Sequence, residues 1–299
     1  DKELLNQLRD KFNEKLIGSV TKQVKKVLRK LATDENSFIE ASVYFKPKKY
    51  NEKDGKIEFR PLHTTRIVQQ IAAVSILNLF IYEPYEKNGK LVLSNISRLI
   101  PENFYGNRVS TRPEVLFKPW KTQYKKYTQI ANDLFKTYHE TREYNYEVDL
   151  DLEDFFPSVN IRQVYRQILD LLPVTIQGEE RNAYKALLIK LLVCKIDNLG
   201  KNTMDLYYRD KYYEGQTNYG MGIAQGLPQS YFLGNICMIE IARIFEKYFP
   251  GKSLFYVDDS VIFCNDISGM EDFTKRLNKI NEVLKKFSED EEKDKNKDE

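Results

Sequence analysis

Cysteine, histidine and tryptophan are scarce: three cysteines, two histidines and one tryptophan in 299 residues. Cys194, Cys237 and Cys264 lie far apart, show no CxxC spacing and each falls in an apolar run. That pattern argues against a disulfide framework and a zinc site, and fits buried reduced thiols in a cytoplasmic protein. No apolar run approaches the roughly 18 residues needed to span a bilayer, and the N-terminus is charged, with no hydrophobic signal core. No membrane partner is expected. An excess of one charge is missing too, since 47 basic side chains face 44 acidic ones for a net +3. Any nucleic-acid groove must therefore arise by local clustering. There is no internal repeat or long linker. The hydrophobic fraction of 41% is that of a globular protein with one large core or two modest ones.

Apolar residues recur every three or four positions from Leu4 to Leu31, which predicts one long amphipathic helix with its lysines in solvent. Short alternating runs between Ser42 and Leu62, interrupted by Asn51-Glu-Lys-Asp-Gly, predict a basic β-hairpin. Thr64 or Thr65 is placed to cap a helix through Leu79, and a further helix is expected from Trp120 to Tyr138. Tyr146 to Leu152 alternates as a strand does, and the run ends at Phe155-Phe156-Pro157. Helices are expected from Asn160 and over Arg181 to Leu192. A tyrosine- and glycine-rich connection, Tyr207 to Gly226, then leads to Pro228 and an apolar helix ending near Tyr248. Ser253 to Cys264 reads as two strands joined at Asp258-Asp259. Ser268 with Glu271 reads as a capping box before a closing helix.

Adjacent aspartates in the apolar run Leu-Phe-Tyr-Val-Asp258-Asp259-Ser-Val-Ile-Phe are costly to desolvate unless a cation or donor compensates them. Magnesium, a hard oxygen-seeking ion held by one or two carboxylates and substrate phosphate, is the natural compensator. Val-Asp149-Leu-Asp151-Leu offers the second acidic strand, and a period of two puts both carboxylates on one face without choosing between them. Taken alone, the Asp pair is equally at home in a plain hairpin turn, and Ala224 to Ser230 in a plain loop and helix start. Their order along the chain is what points to a shared site.

Asp151-Leu-Glu-Asp-Phe-Phe-Pro-Ser, Gln225-Gly-Leu-Pro-Gln-Ser and Tyr256-Val-Asp-Asp, in that order, resemble the three palm motifs of reverse transcriptases. Phe59-Arg60-Pro-Leu with Arg66-Ile-Val-Gln resembles the fingers motifs, and Phe104-Tyr-Gly-Asn-Arg108 the segment before the palm, so the likeness covers about residues 40–287. It implies an α/β right-hand polymerase fold, with fingers over residues 1–145, a palm over 146–287 and a charged tail over 288–299. It implies a reverse transcriptase adding dNTPs to a 3′ or protein hydroxyl by two-metal phosphoryl transfer. Asp151, Asp258 and Asp259 are then catalytic. Asp151, Leu152, Asp258 and Asp259 are the metal positions for two Mg2+ ions, with Mn2+ as a substitute. Asp259 is then the supporting acid of the pair, and Asp149 a structural acid or one standing just behind the metal positions. Phe156 matches the bulky residue that disfavours a 2′-hydroxyl, although a core aromatic there is the plain reading. Gln225 would contact the nucleotide, Gly226 would let the backbone approach it, and Arg60 would clamp the triphosphate with its fork of donors. A solvent-exposed hairpin arginine is the plain reading of Arg60. Lys46, Lys48, Lys49 and Lys56 would add phosphate contacts as a group, or simply keep the hairpin soluble.

The wording of the motifs resembles bacterial enzymes, closest to abortive-infection and other defence-associated reverse transcriptases. An RNA template or non-coding RNA, a DNA product, and a partner subunit or homo-oligomer are the implied partners. A helical thumb is not evident after the closing helix. Asp1 as first residue and the tail Ser288 to Glu299 leave room for further sequence at both ends. Retron- or group II intron-type enzymes and a silent palm scaffold are the alternatives.

Overall fold

The structure, a computed structural model, describes residues 2–51, 55–84, 91–152, 155–198 and 222–278. The first helix, α1 (Lys2–Thr33), follows the predicted period, but only its C-terminal half docks. Val24 and Leu31 are buried there, whereas Phe12, Leu16 and Ile17 are exposed. Its end is tied to α7 (Gly178–Leu192) by buried Lys190, whose Nζ donates to the carbonyls of Asp34 (3.3 Å) and Glu35 (2.5 Å). The Asp34 carbonyl also accepts from Ser37 N (3.1 Å), and a cation at this end complements the helix dipole.

Strands β1 (Ile39–Asn51) and β2 (Lys56–Thr64) pair antiparallel as the predicted hairpin, extended at both ends, with a register shift between Pro47 and Lys49. Proline has no N–H for the ladder, so a bulge forms and re-aims the neighbouring lysines. The two threonines expected to cap the next helix do not do so. Arg66 is the N-cap of α2 (Ile67–Ile81), without a side-chain bond, and Thr65 Oγ1 instead donates to Glu40 O at 2.6 Å. The hydroxyl is thereby used to lock the hairpin's exit.

A short antiparallel pair, β3 (Tyr82–Pro84) and β4 (Leu91–Leu93), and the single turn α3 (Asn95–Arg98) follow. Next come α4 (Trp120–Lys136), a π-helical turn (Thr137–Thr141) and β5 (Tyr146–Leu150). Phe155-Phe156-Pro157, expected as a strand end, is a helical turn, α5 (Phe155–Ser158). Proline tolerates the first turn of a helix because its missing N–H is unpaired there anyway. Asn160 caps α6 (Ile161–Asp170) by accepting from Gln163 N.

After α7, β6 (Cys194–Ile196) pairs in parallel with the start of β1, giving the sheet order β2-β1-β6. Segments on both sides of β5 in sequence therefore build this sheet. Residues 207–221 of the tyrosine-rich connection lie outside the described residues. Helix α8 (Pro228–Tyr248) and the hairpin β7 (Gly251–Tyr256) and β8 (Asp259–Cys264) follow the predicted pattern, with sheet order β5-β8-β7. The Ser268–Glu271 capping box does not form. Ser268 N and Oγ both donate to the Asp266 carboxylate, and the closing helix is described over 270–278. An Asx-type turn competes locally for the same donors.

One apolar core runs from α1 through α2, α6, α7 and α8 to the inner face of β5-β8-β7, with Phe232, Leu233 and Met238 of α8 fully buried. Each such side chain contributes about 1.5–3 kcal/mol of burial. The opposite face of that sheet is also covered. Leu254, Val261 and Phe263 pack there against Tyr127, Ala131 and Leu134 of α4 and against Tyr105, Tyr138 and Tyr144. Among the described residues no helix is long and apolar enough to cross a membrane.

Candidate active site

Tyr256 pairs with Asp259 at the end of the β7–β8 hairpin, so the turn itself is the dipeptide Val257-Asp258. Val257 has φ +62°, the left-handed value that a II′-type hairpin turn needs at its first central position and that glycine normally supplies. A β-branched residue held there stores on the order of 1–3 kcal/mol. The surroundings enforce it. Tyr105 N donates to Phe255 O (2.8 Å) and Phe255 N to Asn103 O (2.9 Å), laying the 103–107 segment alongside β7. Asn235 Nδ2 of α8 clamps that segment by donating to the carbonyls of Gly106 (3.0 Å) and Asn107 (3.1 Å). A Cβ on Gly106 would stand 2.6 Å from both Val257 N and Cγ2.

Asp149 and Asp151 share the sheet face that the two-residue period requires, but they meet different neighbours. Asp151 lines a cleft of about 730 Å³ together with Arg60, Phe156, Gln225, Asp258 and Asp259, and Leu152, Lys48 and Lys49 line it too. Asp149 does not reach that cleft; it joins Tyr127, Asp151 and Asp259 around a smaller hollow of about 210 Å³. Burial is the main reason that the Asp258 carboxyl titrates above its usual range; the charges of Asp259 and Asp151 push the same way, while a backbone bond and Arg60 oppose them. Asp259 is raised as well, by burial and then by Asp151. Tyr127 is raised by burial first and by Asp259 and Asp149 next, and it lines the same small hollow as both.

This donor set fits a hard divalent cation. Among the described residues the cleft is lined by carboxylates with no thiol or imidazole, and the crowding of Asp151, Asp258 and Asp259 is a cost that a bound cation would relieve. Among the described residues no three His, Cys, Asp or Glu side chains close into a ligand set by themselves. Magnesium, which keeps water and takes substrate phosphate oxygens, does not need such a cage.

Both Phe155 and Phe156 are buried, 5.3 Å apart and edge to face, and both also line the cleft, so the core role and a role at the cleft wall coexist. Gly226 is not among the lining residues. Its φ is +105°, and a Cβ there would meet His63 O at 2.6 Å, so its close approach is to β2. Side chains of Lys48 and Lys49 reach the cleft; the Lys56 side chain lies outside the described set, and Lys46 does not line it.

His63, far from any acidic motif in sequence, stitches the hairpin to the Gln225 loop. Its backbone N donates to Gln225 O (2.7 Å), and its Nδ1 is 3.1 Å from the same carbonyl, an acceptor that demands a proton on Nδ1. Burial lowers its pKa to about 4, outweighing the carbonyl's opposite pull. A histidine whose folded value lies below its unfolded 6.5 contributes stability above pH 6.5 that is lost as pH falls towards 4, about 3 kcal/mol in all. Urea unfolding at pH 7 and pH 4.5 should show this loss in the wild type and a shallower one in His63→Asn. An unchanged pH slope in the variant would assign the acid sensitivity elsewhere.

No spacing rule pointed to His63, Gly106, Asn235 or Tyr127; for Gly106 the only signal was its place in the Phe104–Arg108 segment. A family model described as reverse transcriptase (RNA-dependent DNA polymerase) matches residues 53–295. No curated protein matches the chain.

Proposed function

We propose how this chain, which belongs to the reverse transcriptase (RNA-dependent DNA polymerase) family and is an RNA-directed DNA polymerase, carries out nucleotidyl transfer. The observation that carries the reading is the cleft in which Arg60 of the hairpin faces Asp151, Asp258 and Asp259 of the sheet. The primer 3′ hydroxyl attacks the α-phosphate of a dNTP there, and pyrophosphate leaves. Arg60, with Lys48 and Lys49 beside it on the bulged strand, receives the triphosphate; its planar fork matches phosphate oxygens. Gln225 meets the nucleotide from the loop that His63 holds. Asp151, Leu152, Asp258 and Asp259 would hold two Mg2+ ions, or Mn2+. When bound, such ions make the hydroxyl more acidic and stabilise the charge of the transition state.

Phe156 sets sugar selection from the cleft wall. Because it also belongs to the core, Phe156→Val is a gentler probe than alanine, whose cavity would cost about 3–5 kcal/mol. Primer extension on an RNA template with dNTPs and rNTPs should show the preference for dNTPs falling about tenfold or more in Phe156→Val, which corresponds to about 1.4 kcal/mol of discrimination. An unchanged ratio would leave Phe156 a core residue only, and rNTPs preferred by the wild type would overturn DNA synthesis as the activity.

Membership of the bacterial defence-associated group is the finer part of the proposal, supported by the Phe155-Phe-Pro-Ser and Gln225-Gly-Leu-Pro-Gln-Ser wording. Recovery of one structured RNA bound stoichiometrically to the purified protein would instead favour a retron- or intron-type enzyme.

A further inference from the structure

We infer that the N-terminal end of α4 beside the catalytic turn is a binding surface for single-stranded nucleic acid, with Trp120 and Tyr124 stacking on unpaired bases and Lys121 and Lys125 holding phosphates. The inference rests on the polymerase reading for its context, but on α4 itself for its evidence.

Trp120 is the sole tryptophan of the sequence and is 62% exposed. Tryptophan is highly buried on average, so leaving this one in water forgoes a large apolar contribution. Tyr124, one turn further on, is 48% exposed. Both continue the row Tyr127, Ala131 and Leu134, on which α4 docks, towards the helix N-terminus, where they stay largely in water. The aromatic row nevertheless leads to the site. Tyr124 meets the ring of Tyr256 edge-on at 5.3 Å, and Tyr127 lies 5.5 Å from the same ring, which immediately precedes the Val257-Asp258 turn.

Charge along this helix is nearly of one sign. Its bases are Lys121, Lys125, Lys126 and Lys136, and Asp133 is its single acid, towards the far end. Lys121 and Lys125 are one turn apart on the row flanking Trp120 and Tyr124, and Lys121 Nζ is 5.8 Å from the Trp120 ring centroid. Lys118, just before the helix, stands near Arg108 and Lys126; burial first and then these like charges lower its pKa, with Glu102 opposing them. Exposed aromatic faces interleaved with lysines match the two needs of a single strand, base stacking and phosphate neutralisation. A duplex offers no open base faces except at its ends, so the surface fits unpaired template or product.

The sole tryptophan makes a built-in reporter. Its emission should be quenched by oligo-dT and oligo-rU in EDTA without nucleotides, and duplex of equal length should bind at least about tenfold more weakly. Tyr124→Leu should weaken single-strand binding about 5- to 150-fold, the range of one lost stacking contact. The double variant Lys121→Gln, Lys125→Gln should reduce the salt slope of log K by about 1.4, or about 0.7 for each phosphate released. Four results would overturn the inference: an anisotropy-detected oligonucleotide complex that leaves Trp120 emission unchanged, equal affinity for duplex, no binding at all, or an emission change that tracks protein concentration alone and so marks a second copy on this face. Primer extension by the same preparation separates the two readings. Activity with a silent Trp120 removes the α4 surface alone, and quenching without activity keeps it while removing the polymerase proposal.

Discussion

Asp258→Asn eliminates nucleotide incorporation, by about 10³-fold or more, and at the same time raises the melting temperature of the metal-free protein. The two effects have one cause. Asp258 is partly desolvated beside Asp259 and Asp151, and its carboxyl is held above the usual range. A carboxyl whose folded pKa exceeds its unfolded value destabilises the fold at neutral pH, and the cost fades as pH falls through the folded value. Asparagine removes the charge but keeps the shape, so the apo fold gains. Under the proposed mechanism the reaction loses a ligand position for a cation that would supply several kcal/mol in the transition state, and each 1.36 kcal/mol is tenfold in rate. Asp151→Asn should cost as much activity, since Asp151, the residue after β5, reaches the cleft with Arg60 whereas Asp149 within the strand does not. Primer extension alongside calorimetry of the EDTA-treated protein checks both halves. Lost activity with a lowered melting temperature would make Asp258 a structural residue.

Gly106→Ala should reduce turnover by about 10²-fold without touching any group in the cleft. The methyl would press on Val257 N and Cγ2 at 2.6 Å, and neither side can give way cheaply. Gly106 is fixed through its carbonyl by Asn235, and its neighbour Tyr105 is hydrogen-bonded to Phe255. Val257 is already in a left-handed conformation that its side chain disfavours. The displacement therefore passes to Asp258, the next residue of the turn. A shift of about 1 Å at reacting groups costs on the order of 10²-fold. The loss should appear in kcat with little change in KM for dNTP, because Arg60 and Gln225 come from other segments. A raised KM with normal kcat, or full activity, would show that the turn is not held through Gly106.

The sequence made much of this cleft legible because the motifs that line it are short. Two acidic segments, a Gln-Gly-Leu-Pro loop and an arginine-bearing hairpin are written in contiguous residues, and each lies where local period and turn rules place it. What supports them was hidden for a physical reason. Gly106 against Val257, Asn235 against Gly106 and His63 against Gln225 are pairings between residues more than a hundred positions apart, and no local pattern encodes them. Local rules also failed where two partners competed for one group. Thr65 was a reasonable cap but bonds Glu40, and Ser268 a reasonable capping-box start but bonds Asp266. The period of α1 predicts its helix, while the exposure of Phe12, Leu16 and Ile17 is set by how far the elements packed on it reach. Likewise Asp149 and Asp151 are equivalent by alternation, and only the placement of α4 and the hairpin around them separates their surroundings.

The most direct test of the carboxylate cleft as a divalent-cation site for nucleotidyl transfer is Mn2+ binding followed by electron paramagnetic resonance, with a dNTP present and no primer. The wild type should bind Mn2+ in a dNTP-dependent manner, Asp151→Asn and Asp258→Asn should lose that binding, and Mg2+ should compete for it. Mn2+ bound equally by the wild type and both variants would contradict the assignment of Asp151 and Asp258 and with it the mechanism proposed for this cleft.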